Sequence, residues 1–450
     1  MSDRSVLTGW GRAMPTAAEI RTPTSADELA KGVLHAGDRG VIARGLGRSY
    51  GDAAQNAGGV VLDATGASAT DLPDPDVDGV VTVLAGTSLE TLMEQYVPRG
   101  WFLPVSPGTR FVTVGGAIAS DVHGKNHHSD GSFVNHVRSM RLAVADGSIV
   151  DVSPADPLFW ATAGGMGLTG VIVDATIAMR HIESSAVAVD TDRVPDLEAA
   201  MALMSEGDDQ YHYSAAWIDL MATGRHMGRS VLYRGDFAPR DALPERRREN
   251  PYGFGVHTIA TAPPSPPGLL NHLSLRIFNE GFFRANPRQR RGELQTITRF
   301  FHPLDIVNQW NRLYGPSGFI QWQPVVPFGA EATVQHIVES LSSSGTLSFL
   351  SVLKRFGPGN AGHLSFPMPG WTLSLDLPVT HGPALGRLLD DLDEKVAEVG
   401  GRVYFAKDSR MRPELVPVMY PRLDEWREVC ASADPHGVMQ SDLGRRLHLR

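Results

Sequence analysis

The stretch Gly108–His128 reads GTRFVTVGGAIASDVHGKNHH and decides how the rest of the chain is interpreted. β-Branched residues come first, then a Gly-Gly pair and small residues, and finally a dense polar cluster. Glycine and small residues let a backbone approach a ligand closely, because no bulky side chain intervenes. We therefore expect this stretch to run along a bound ligand, with Asp121–His128 as its polar end.

Length and composition predict a globular protein of two domains. The chain has 450 residues, of which 42% are hydrophobic and 20% charged. A net charge of −9 and the shortness of the basic runs argue against nucleic-acid binding. The single cysteine, Cys430, excludes an internal disulfide and a cysteine-rich metal site. We find neither an apolar run of about 18 residues nor an export signal, which favours a cytoplasmic or membrane-associated protein.

The first part of the chain alternates short strands with helices, which predicts an α+β fold. Capping boxes at Ser25–Glu28 and Thr87–Glu90 predict helices that end near Ala36 and Val97. An Asp146-Gly147 turn predicts a hairpin, since this dipeptide suits tight turns. Strands are expected at 40–43, 60–63, 80–85 and 171–179, and a short helix at 157–163.

The character of the sequence changes near residue 185, where alternating strands begin. Proline-rich Thr261–Gly268 cannot form a helix or a central strand, so we expect a mobile loop over about 256–291. Strands resume between 318 and 376. A helix is predicted at Pro383–Val399, where a leucine and valine stripe follows an initial proline.

Two glycine-rich segments could contact a ligand. Successive N–H groups of Gly45–Gly51 could form an anion-binding nest, although an ordinary turn would have the same composition. Gly165–Gly170 matches GxGxxG, but a dinucleotide fingerprint of the Rossmann type must follow a strand and open a helix. Here a predicted helix precedes it and a strand follows, so we expect no nicotinamide site of the Rossmann type.

The cluster His123, His127 and His128 could suggest a metal, but Gly124 and Asn126 argue against the helix that such spacing requires. We expect no metal site. His123 and Lys125 are better interpreted as donors to a polar ligand, the alternative being a hydrogen-bonded loop cluster. Lys407, between β-like sequence and Asp408, could be an ordinary surface charge.

Taken together, these segments resemble flavoenzymes of the vanillyl-alcohol-oxidase type, over nearly the whole chain. Within that family the similarity is to enzymes that oxidise a lipid-linked ribose. The motifs that carry it are long and occur in the same order: Ile42–Asn56, Pro107–Phe133, Phe159–Gly170, His302–Gln323 and Tyr404–Trp426. The resemblance implies a two-part FAD-binding domain, PCMH-like, formed by residues 1–184 and 402–450. Residues 185–401 would be an inserted antiparallel-sheet substrate domain.

The resemblance also implies how FAD is held, and it implies non-covalent binding. His123 would be the only positional candidate for a covalent link. The residues expected to bind the cofactor are Arg44, Gly45, Leu46, Gly47, Arg48, Ser49, Tyr50, Gly51, Asp52, Gly108, Thr109, Thr113, Val114, Gly115, Gly116, Ser120, Asp121, Val122, His123, Ile172 and Tyr404.

The activity implied is oxidation of the 2′-hydroxyl of decaprenylphosphoryl-β-D-ribose to a 2′-keto sugar, the first half of an epimerisation to arabinose for cell-wall arabinan. Lys407 is the catalytic candidate, as a base or as an electrostatic anchor, and His123 would orient the sugar. The expected substrate contacts are Lys125, Gln321, Gln323, Lys354, Ser374 and Lys407. The alternative is another sugar, alditol or aldonolactone oxidase that uses oxygen.

Two departures from the family pattern stand in this substrate region. Ser374 occupies a position where mycobacterial relatives carry cysteine, and Phe300-Phe301 stands where a tyrosine is expected. The resemblance implies an NADH-dependent keto-sugar reductase as second subunit, peripheral membrane contact and a periplasmic location. The last implication contrasts with the missing export signal.

Overall fold

The computed structural model describes residues 4–255, 258–263, 265, 271–348, 350–379 and 382–450. Within them the chain is a mixed α/β protein with three main β-sheets. Two four-stranded sheets come from the first 180 residues, and a nine-stranded antiparallel sheet comes from residues 186–403.

The first sheet is mixed and uses both ends of the chain. Its strands, in spatial order, are Arg4–Leu7, Thr16–Arg21, Val60–Asp63 and Val41–Arg44. The outer pair is antiparallel, and the other neighbours are parallel. At the edge, Val41 donates its N–H to Val438 and accepts from the N–H of Gln440. The C-terminal residues therefore complete this sheet.

The second sheet is antiparallel, with the strongly β-branched strand Val171–Ala178 inside it. Its spatial order is Val80–Leu84, Val171–Ala178, Val137–Ala143 and Ile149–Val152. The helix Ala26–Leu34 packs its buried Leu29 and Val33 with Val171 and Val173 of this sheet. The helices Leu89–Tyr96, Val114–Ala119, His127–Asp130 and Pro157–Thr162 lie in the same part of the sequence.

The large sheet is antiparallel throughout, and apolar helices cover one of its faces. Its helix-facing residues, such as Leu353 and Leu373, share one core with Met204, Ile337 and Leu389. Its strands run in the order Gln289–Thr296, Ala186–Val194, Ser230–Phe237, Tyr213–Ile218, Ser351–Phe356, Gly370–Pro378, Pro324–Pro327 and Arg402–Val403, with Phe319–Trp322 also paired to Gly370–Pro378. The covering helices are Leu197–Gly207, Glu331–Ser343 and Gly382–Glu398.

The remaining elements are short pairs and peripheral helices. Two-stranded pairs join Trp101–Phe102 to Arg180–His181 and Ala260–Thr261 to Val307–Asn308. The other helices are Glu245–Arg248, His272–Ala285, Ile297–Phe301, Val416–Met419, Leu423–Ala433 and Asp442–Arg446. Among the described residues, no helix combines the length and apolar character needed to cross a bilayer.

Several local predictions are confirmed. Ser25 caps its helix by accepting from the N–H of Glu28 at 3.2 Å. The hairpin forms, with Gly147 at a φ of 79° and Ala143 paired to Ile149. The predicted leucine-stripe helix is present as Gly382–Glu398.

Two local predictions are wrong. The second capping residue is Ser88, which accepts from the N–H of Thr91, rather than Thr87. The expected loop over about 256–291 contains the helix His272–Ala285 and the start of the strand Gln289–Thr296. A capping box at Asn271 starts that helix, and burial of its inner face stabilises it. Residues 256–257, 264 and 266–270 of this segment lie outside the described residues.

Candidate active site

A cavity of about 670 Å³ lies between the glycine-rich segments of the first part of the chain and the uncovered face of the large sheet. Ligand pockets in proteins span roughly 300–1,000 Å³, so this cavity is large enough for a drug-sized or larger ligand. Strand alternation explains the wall that the sheet provides. Leu353 and Leu373 point into the helix-covered core, whereas Val352, Lys354 and Ser374 line the cavity.

The wall opposite the sheet is built by close approach of two glycine-containing segments. A side chain at Gly45 would overlap the Thr113 hydroxyl, so these two segments can touch only because residue 45 is glycine. Thr113 caps the helix Val114–Ala119 by accepting from the N–H of Gly116 at 3.1 Å. Gly115 and Gly116 line the cavity at that helix start.

Arg48 supplies a positive charge to this wall. Its guanidinium stacks 3.7 Å from the ring centre of Trp10 and 5.0 Å from that of Phe111. Burial lowers the pKa of Arg48 to about 10, so the group remains charged at neutral pH. Its Nε is buried without a hydrogen-bond partner among the described residues. A buried donor that lacks a partner suits an anionic group of a ligand.

The GxGxxG segment also reaches the cavity. Met166, Gly167 and Gly170 line it, and the N–H of Met166 donates to the carbonyl of Ala119. The segment lies between the helix Pro157–Thr162 and a strand, which is the order expected from the sequence. This order differs from that of a Rossmann fingerprint.

His123 is buried at the bottom of the cavity, and its environment keeps it neutral. Its ring packs against Phe356, Phe366 and Tyr404. Gln323 donates from Nε2 to His123 Nε2 at 2.9 Å, while His123 Nδ1 has no partner among the described residues. Burial holds the pKa of His123 well below its usual range.

The other two histidines of the predicted cluster point elsewhere. His127 Nδ1 accepts from the N–H of Gly357, and His128 Nε2 bonds the carbonyl of Tyr211. No group of three histidine, cysteine, aspartate or glutamate side chains in the described part of the chain is arranged to hold a metal ion.

Three lysines face the same cavity. Burial lowers the pKa of Lys125 to about 7 and that of Lys354 to about 8, and Lys354 adds to the effect at Lys125. Lys125 donates to the carbonyl of Phe300 and lies 4.2 Å from the centre of that ring. Clustered amines in a partly apolar cavity attract an anion, whose charge would restore their protonation.

Lys407 is placed over an aromatic ring and near a buried carboxyl. Its Nζ lies 3.8 Å from the ring centre of Tyr50. Burial lowers the pKa of Lys407, with a further decrease from Lys354 and an opposing effect from Asp376. Burial raises the pKa of Asp376, which accepts hydrogen bonds from Gln321 and from Tyr314. Lys407 is nevertheless partly accessible, because it faces the cavity.

Most of the predicted site residues lie together on this cavity, whatever their distance in sequence. Those of the cofactor group are Gly45, Leu46, Gly47, Arg48, Ser49, Tyr50, Gly108, Thr109, Thr113, Gly115, Gly116, Ser120, Val122, His123, Ile172 and Tyr404. Those of the substrate group are Lys125, Gln321, Gln323, Lys354, Ser374 and Lys407.

Five predicted residues lie off the cavity lining, in the layer behind it. Arg44 donates to the carbonyls of Thr8 and Ala54, and Asp52 pairs with Arg446. Gly51 lies against the Asp408 carbonyl, and Val114 is fully buried in an apolar core. Asp121, at a φ of 43°, accepts from Asn360 and Ser365.

Sequence reasoning missed the Asp376 carboxyl and part of the outer wall of the cavity. Asp376 and Gln321 are 55 residues apart in sequence, and they meet because their strands pair. The missed outer-wall residues include Trp217, Arg290 and Arg299. The alternation of Thr372, Ser374 and Asp376 along one strand was the available signal, since alternate residues share a face.

Comparison with known proteins identifies the ligand class. A family model described as an FAD binding domain matches residues 17–153. The unpaired Arg48 donor and the close approach at Gly45 fit the pyrophosphate and the extended shape of such a dinucleotide.

Sequence similarity extends over almost the full length. Decaprenylphosphoryl-beta-D-ribose oxidase of Mycolicibacterium smegmatis is 45% identical over 98% of this chain and 97% of its own. An uncharacterized protein of Streptomyces coelicolor is 41% identical over 80% of this chain and its own whole length. An alditol oxidase of a Streptomyces species is 29% identical over 38% of this chain and 41% of its own. The chain belongs to the decaprenylphosphoryl-β-D-ribose oxidase family of FAD-binding oxidoreductases.

Proposed function

We propose that the protein oxidises the 2′-hydroxyl of decaprenylphosphoryl-β-D-ribose to the 2′-keto sugar, with FAD as the oxidant. The observation that carries this proposal is Lys407, a partly accessible amine with a lowered pKa that faces a cavity lined by the FAD-domain segments. The near full-length similarity to an oxidase of that name supports the choice of substrate.

We propose a two-part FAD domain of residues 1–184 and 402–450, with residues 185–401 as a substrate domain. The pairing of Val41 with Met439 supports joining the two ends. The large antiparallel sheet supports the insert, although its edge strand Arg402–Val403 extends slightly past the proposed boundary.

In the proposed site, the glycine-rich wall would hold FAD, and Arg48 with the loop that begins at Gly45 would hold its pyrophosphate. When bound, FAD accepts a hydride from the alcohol carbon. The helix Val114–Ala119 would contact the cofactor through its small residues Gly115 and Gly116. The first N–H groups of this helix already donate to acceptors within the protein. Binding is non-covalent, which is supported by the Gln323 bond on His123 and the burial of Cys430.

Lys407 would hold the proton lost by the substrate hydroxyl. A base must be uncharged before it accepts a proton, and burial favours the neutral amine of Lys407. Asp376 opposes that shift and so keeps the amine basic enough to act. The Tyr50 ring beneath Nζ stabilises the ammonium that forms, because an aromatic face attracts a cation.

The remaining side chains would position the sugar, the phosphate and the lipid. Lys125 and Lys354 place two positive charges where the single phosphate of the substrate can lie. The lipid chain would leave along the apolar outer wall that Trp217, Phe278 and Phe282 provide. His123, neutral and fixed by Gln323, can offer a hydrogen bond without adding charge.

The proposal is tested by anaerobic rapid mixing of the enzyme with a prenylphosphoryl ribose. In a Lys407→Met variant we expect flavin reduction to slow by roughly 10²–10⁴-fold, which is the usual contribution of an acid or base. FAD content should be retained. Lys395→Met is the matched control, because Lys395 is exposed and pairs only with Glu398 among the described residues. Reduction at the native rate in the Lys407 variant would refute its catalytic role.

A second candidate is an oxygen-using oxidase of free sugars or alditols, which the partial similarity to an alditol oxidase favours. The substrate distinguishes the two activities. An oxidase of free sugars or alditols would be reduced by free ribose and xylitol at least as fast as by a prenylphosphoryl ribose. Rapid reduction by the free compounds alone would replace the lipid-linked proposal.

We also propose a second enzyme that consumes the product. Net epimerisation requires that the 2′-keto group be reduced from the opposite face, so a reductase must follow, and the family resemblance implies NADH as its hydride donor. Because the lipid substrate resides in a membrane, the protein would work at a membrane surface. A coupled assay with product sugar analysis should give arabinose only when such a reductase is present.

A further inference from the structure

The helix His272–Ala285 carries an apolar strip on its outer face. Leu273 is 68% exposed and Ile277 is 64% exposed. The two residues lie one helical turn from each other on the same face of the helix. Phe278 is 43% exposed next to them. Large apolar side chains that are exposed side by side mark an interaction surface.

The inner face of the helix is firmly packed, so the strip is held outward. Leu275 and Asn279 are each 1% exposed. Asn279 donates to Asp219 at 2.7 Å, and the Phe282 ring lies 4.7 Å from that of Trp217. Rotation of the helix to bury the strip would break these contacts.

Both ends of the helix are capped. Asn271 Oδ1 accepts from the N–H groups of Leu273 and Ser274. At the other end, Asn286 donates to the carbonyl of Phe282 and accepts from the Tyr233 hydroxyl at 2.8 Å. The helix is therefore a formed element before any partner binds.

The strip continues into the cavity. Phe278, Phe282 and Ala285 of this helix line the cavity, while Leu273 and Ile277 do not. A ligand with a long apolar chain could pass from the exposed strip to the site along one continuous helix surface.

The charges around the helix are opposite in sign to those of the whole chain. Residues 271–299 contain six arginines and two glutamates, in a protein with a net charge of −9. Arg276 and Arg288 are exposed, and neither makes an ion pair with any residue in the described ranges. Apolar residues flanked by arginines are typical of helices that lie on anionic lipid.

We infer that the outer face of the helix His272–Ala285 docks the protein on an anionic bilayer. Leu273 and Ile277 insert at the boundary of the acyl chains, and the nearby arginines lie among the head groups. The inference rests on the proposed function, because a lipid-linked substrate gives the cavity a reason to open at a bilayer. A lipid held there by its tail reaches the cavity without crossing water.

The test is flotation of the FAD-loaded full chain with vesicles of equal parts phosphatidylglycerol and phosphatidylcholine. We expect binding that weakens with added salt and is much weaker on phosphatidylcholine alone. The double variant Leu273→Ser/Ile277→Ser should bind at least about tenfold more weakly, because the inserted apolar area is lost. Val77→Ser is the matched control, since Val77 is 95% exposed and is not on this helix.

A second pair of substitutions tests the charges. Arg276→Gln/Arg288→Gln should weaken binding to the phosphatidylglycerol vesicles and leave the weak binding to phosphatidylcholine unchanged. Circular dichroism and flavin content confirm that each variant folds. Absence of flotation by the native protein, or equal flotation by the double serine variant, overturns the inference. A native dimer that the serine variant converts to monomer without vesicles also overturns it.

Failure of the inference is distinguishable from failure of the proposed function. Flotation needs no turnover, so it reports docking whichever sugar is oxidised. With a water-soluble short-chain prenylphosphoryl ribose, the double serine variant should reduce its flavin at the native rate. With vesicle-embedded decaprenyl substrate, the same variant should be slower. If the proposed function is wrong, neither protein reduces its flavin with either substrate.

Discussion

Lys407 receives opposing influences from its two charged neighbours, and this opposition gives a test of its role. Lys354 lowers the pKa of Lys407 and Asp376 raises it. If the neutral amine is the base, flavin reduction should speed up as the pH rises through the pKa of Lys407. Lys354→Met should then move this limb to higher pH, and Asp376→Asn should move it to lower pH. Single-turnover rates across a pH series measure both shifts.

The reverse profile would assign Lys407 a different role. A rate that falls as the pH rises through the same region would mean that the charged ammonium is needed, as an anchor for substrate or cofactor. Shifts of the two variants in the same direction would indicate that neither neighbour acts through Lys407. Arg387→Gln serves as a control for general changes in charge, because Arg387 is exposed and does not line the cavity.

Ser374 offers a chemical probe of the cavity. The only cysteine, Cys430, is 1% exposed, and burial raises its pKa to about 12, so it should resist alkylation. Ser374→Cys places a thiol on the cavity wall, and we expect about one equivalent of maleimide label in the variant against almost none in the native protein. Mass spectrometry measures this. Substrate should protect the new thiol, and labelling that substrate does not slow would place residue 374 outside the substrate region.

At the level of elements, FAD affinity should depend on the close contact between Gly45 and Thr113. A methyl group at position 45 would overlap the Thr113 hydroxyl and push the loop away from the helix Val114–Ala119. We expect Gly45→Ala to weaken FAD binding by roughly tenfold or more, since an overpacked contact typically costs about 1–3 kcal/mol. Fluorescence titration of the apoprotein with FAD gives the dissociation constant.

A glycine with free space around it provides the control substitution for Gly45→Ala. Gly386 lies inside the helix Gly382–Glu398, and an added methyl group there meets nothing within 4 Å. Gly386→Ala should raise the free energy of unfolding by about 0.5–1 kcal/mol and leave FAD affinity unchanged. Urea unfolding measures the first quantity. An FAD affinity that drops equally in both variants would remove Gly45 from the cofactor wall.

Sequence predicts some elements better than others, because some depend only on neighbouring residues and others depend on tertiary packing. The helix that starts at Ser25 and the Asp146-Gly147 hairpin depend on neighbouring residues, so local patterns are sufficient. The shift from Thr87 to Ser88 is a one-residue error in a run where either hydroxyl could cap. The helix His272–Ala285 was missed because prolines precede it and its apolar residues lie on both faces, which hides the usual period.

For the molecule as a whole, sequence predicts the residues that line the cavity better than the neighbours that set their pKa values and orientation. Gly45 and Gly116 stand in compact motifs whose composition already indicates a ligand. The approach of Asp376 to Gln321 depends on strand register, which a single sequence does not contain. The lowered pKa of Lys407 likewise arises from burial and from Lys354, a neighbour 53 residues away in the numbering.

Three buried histidines make the stability of the whole molecule sensitive to acid. Burial lowers the pKa of His127 and that of His302 to about 3, and that of His123 well below its usual range. In the unfolded chain a histidine binds a proton near pH 6.5, so below that pH the unfolded state gains protons that the folded state cannot take. Burial raises the pKa of Asp121 and Asp393 to about 6, and it also raises the pKa of Asp376. The folded state therefore retains protons on these carboxyl groups, which opposes the effect of the histidines between about pH 4 and 6.

As the pH drops from about 6.5 toward 4, each of these histidines lowers the free energy of unfolding, and each carboxyl with a raised pKa increases it. Each histidine contributes up to about 1.4 kcal/mol per pH unit in this range. His302→Gln removes one histidine contribution, so the free energy of unfolding should fall less steeply as the pH drops, by up to that amount. Its cost at about pH 8 measures the loss of the bond to Ser106 together with the loss of ring packing. Urea unfolding of both proteins across the pH series gives the two slopes. Parallel slopes would mean that His302 takes up its proton in the folded chain, which its burial against Phe301 argues against.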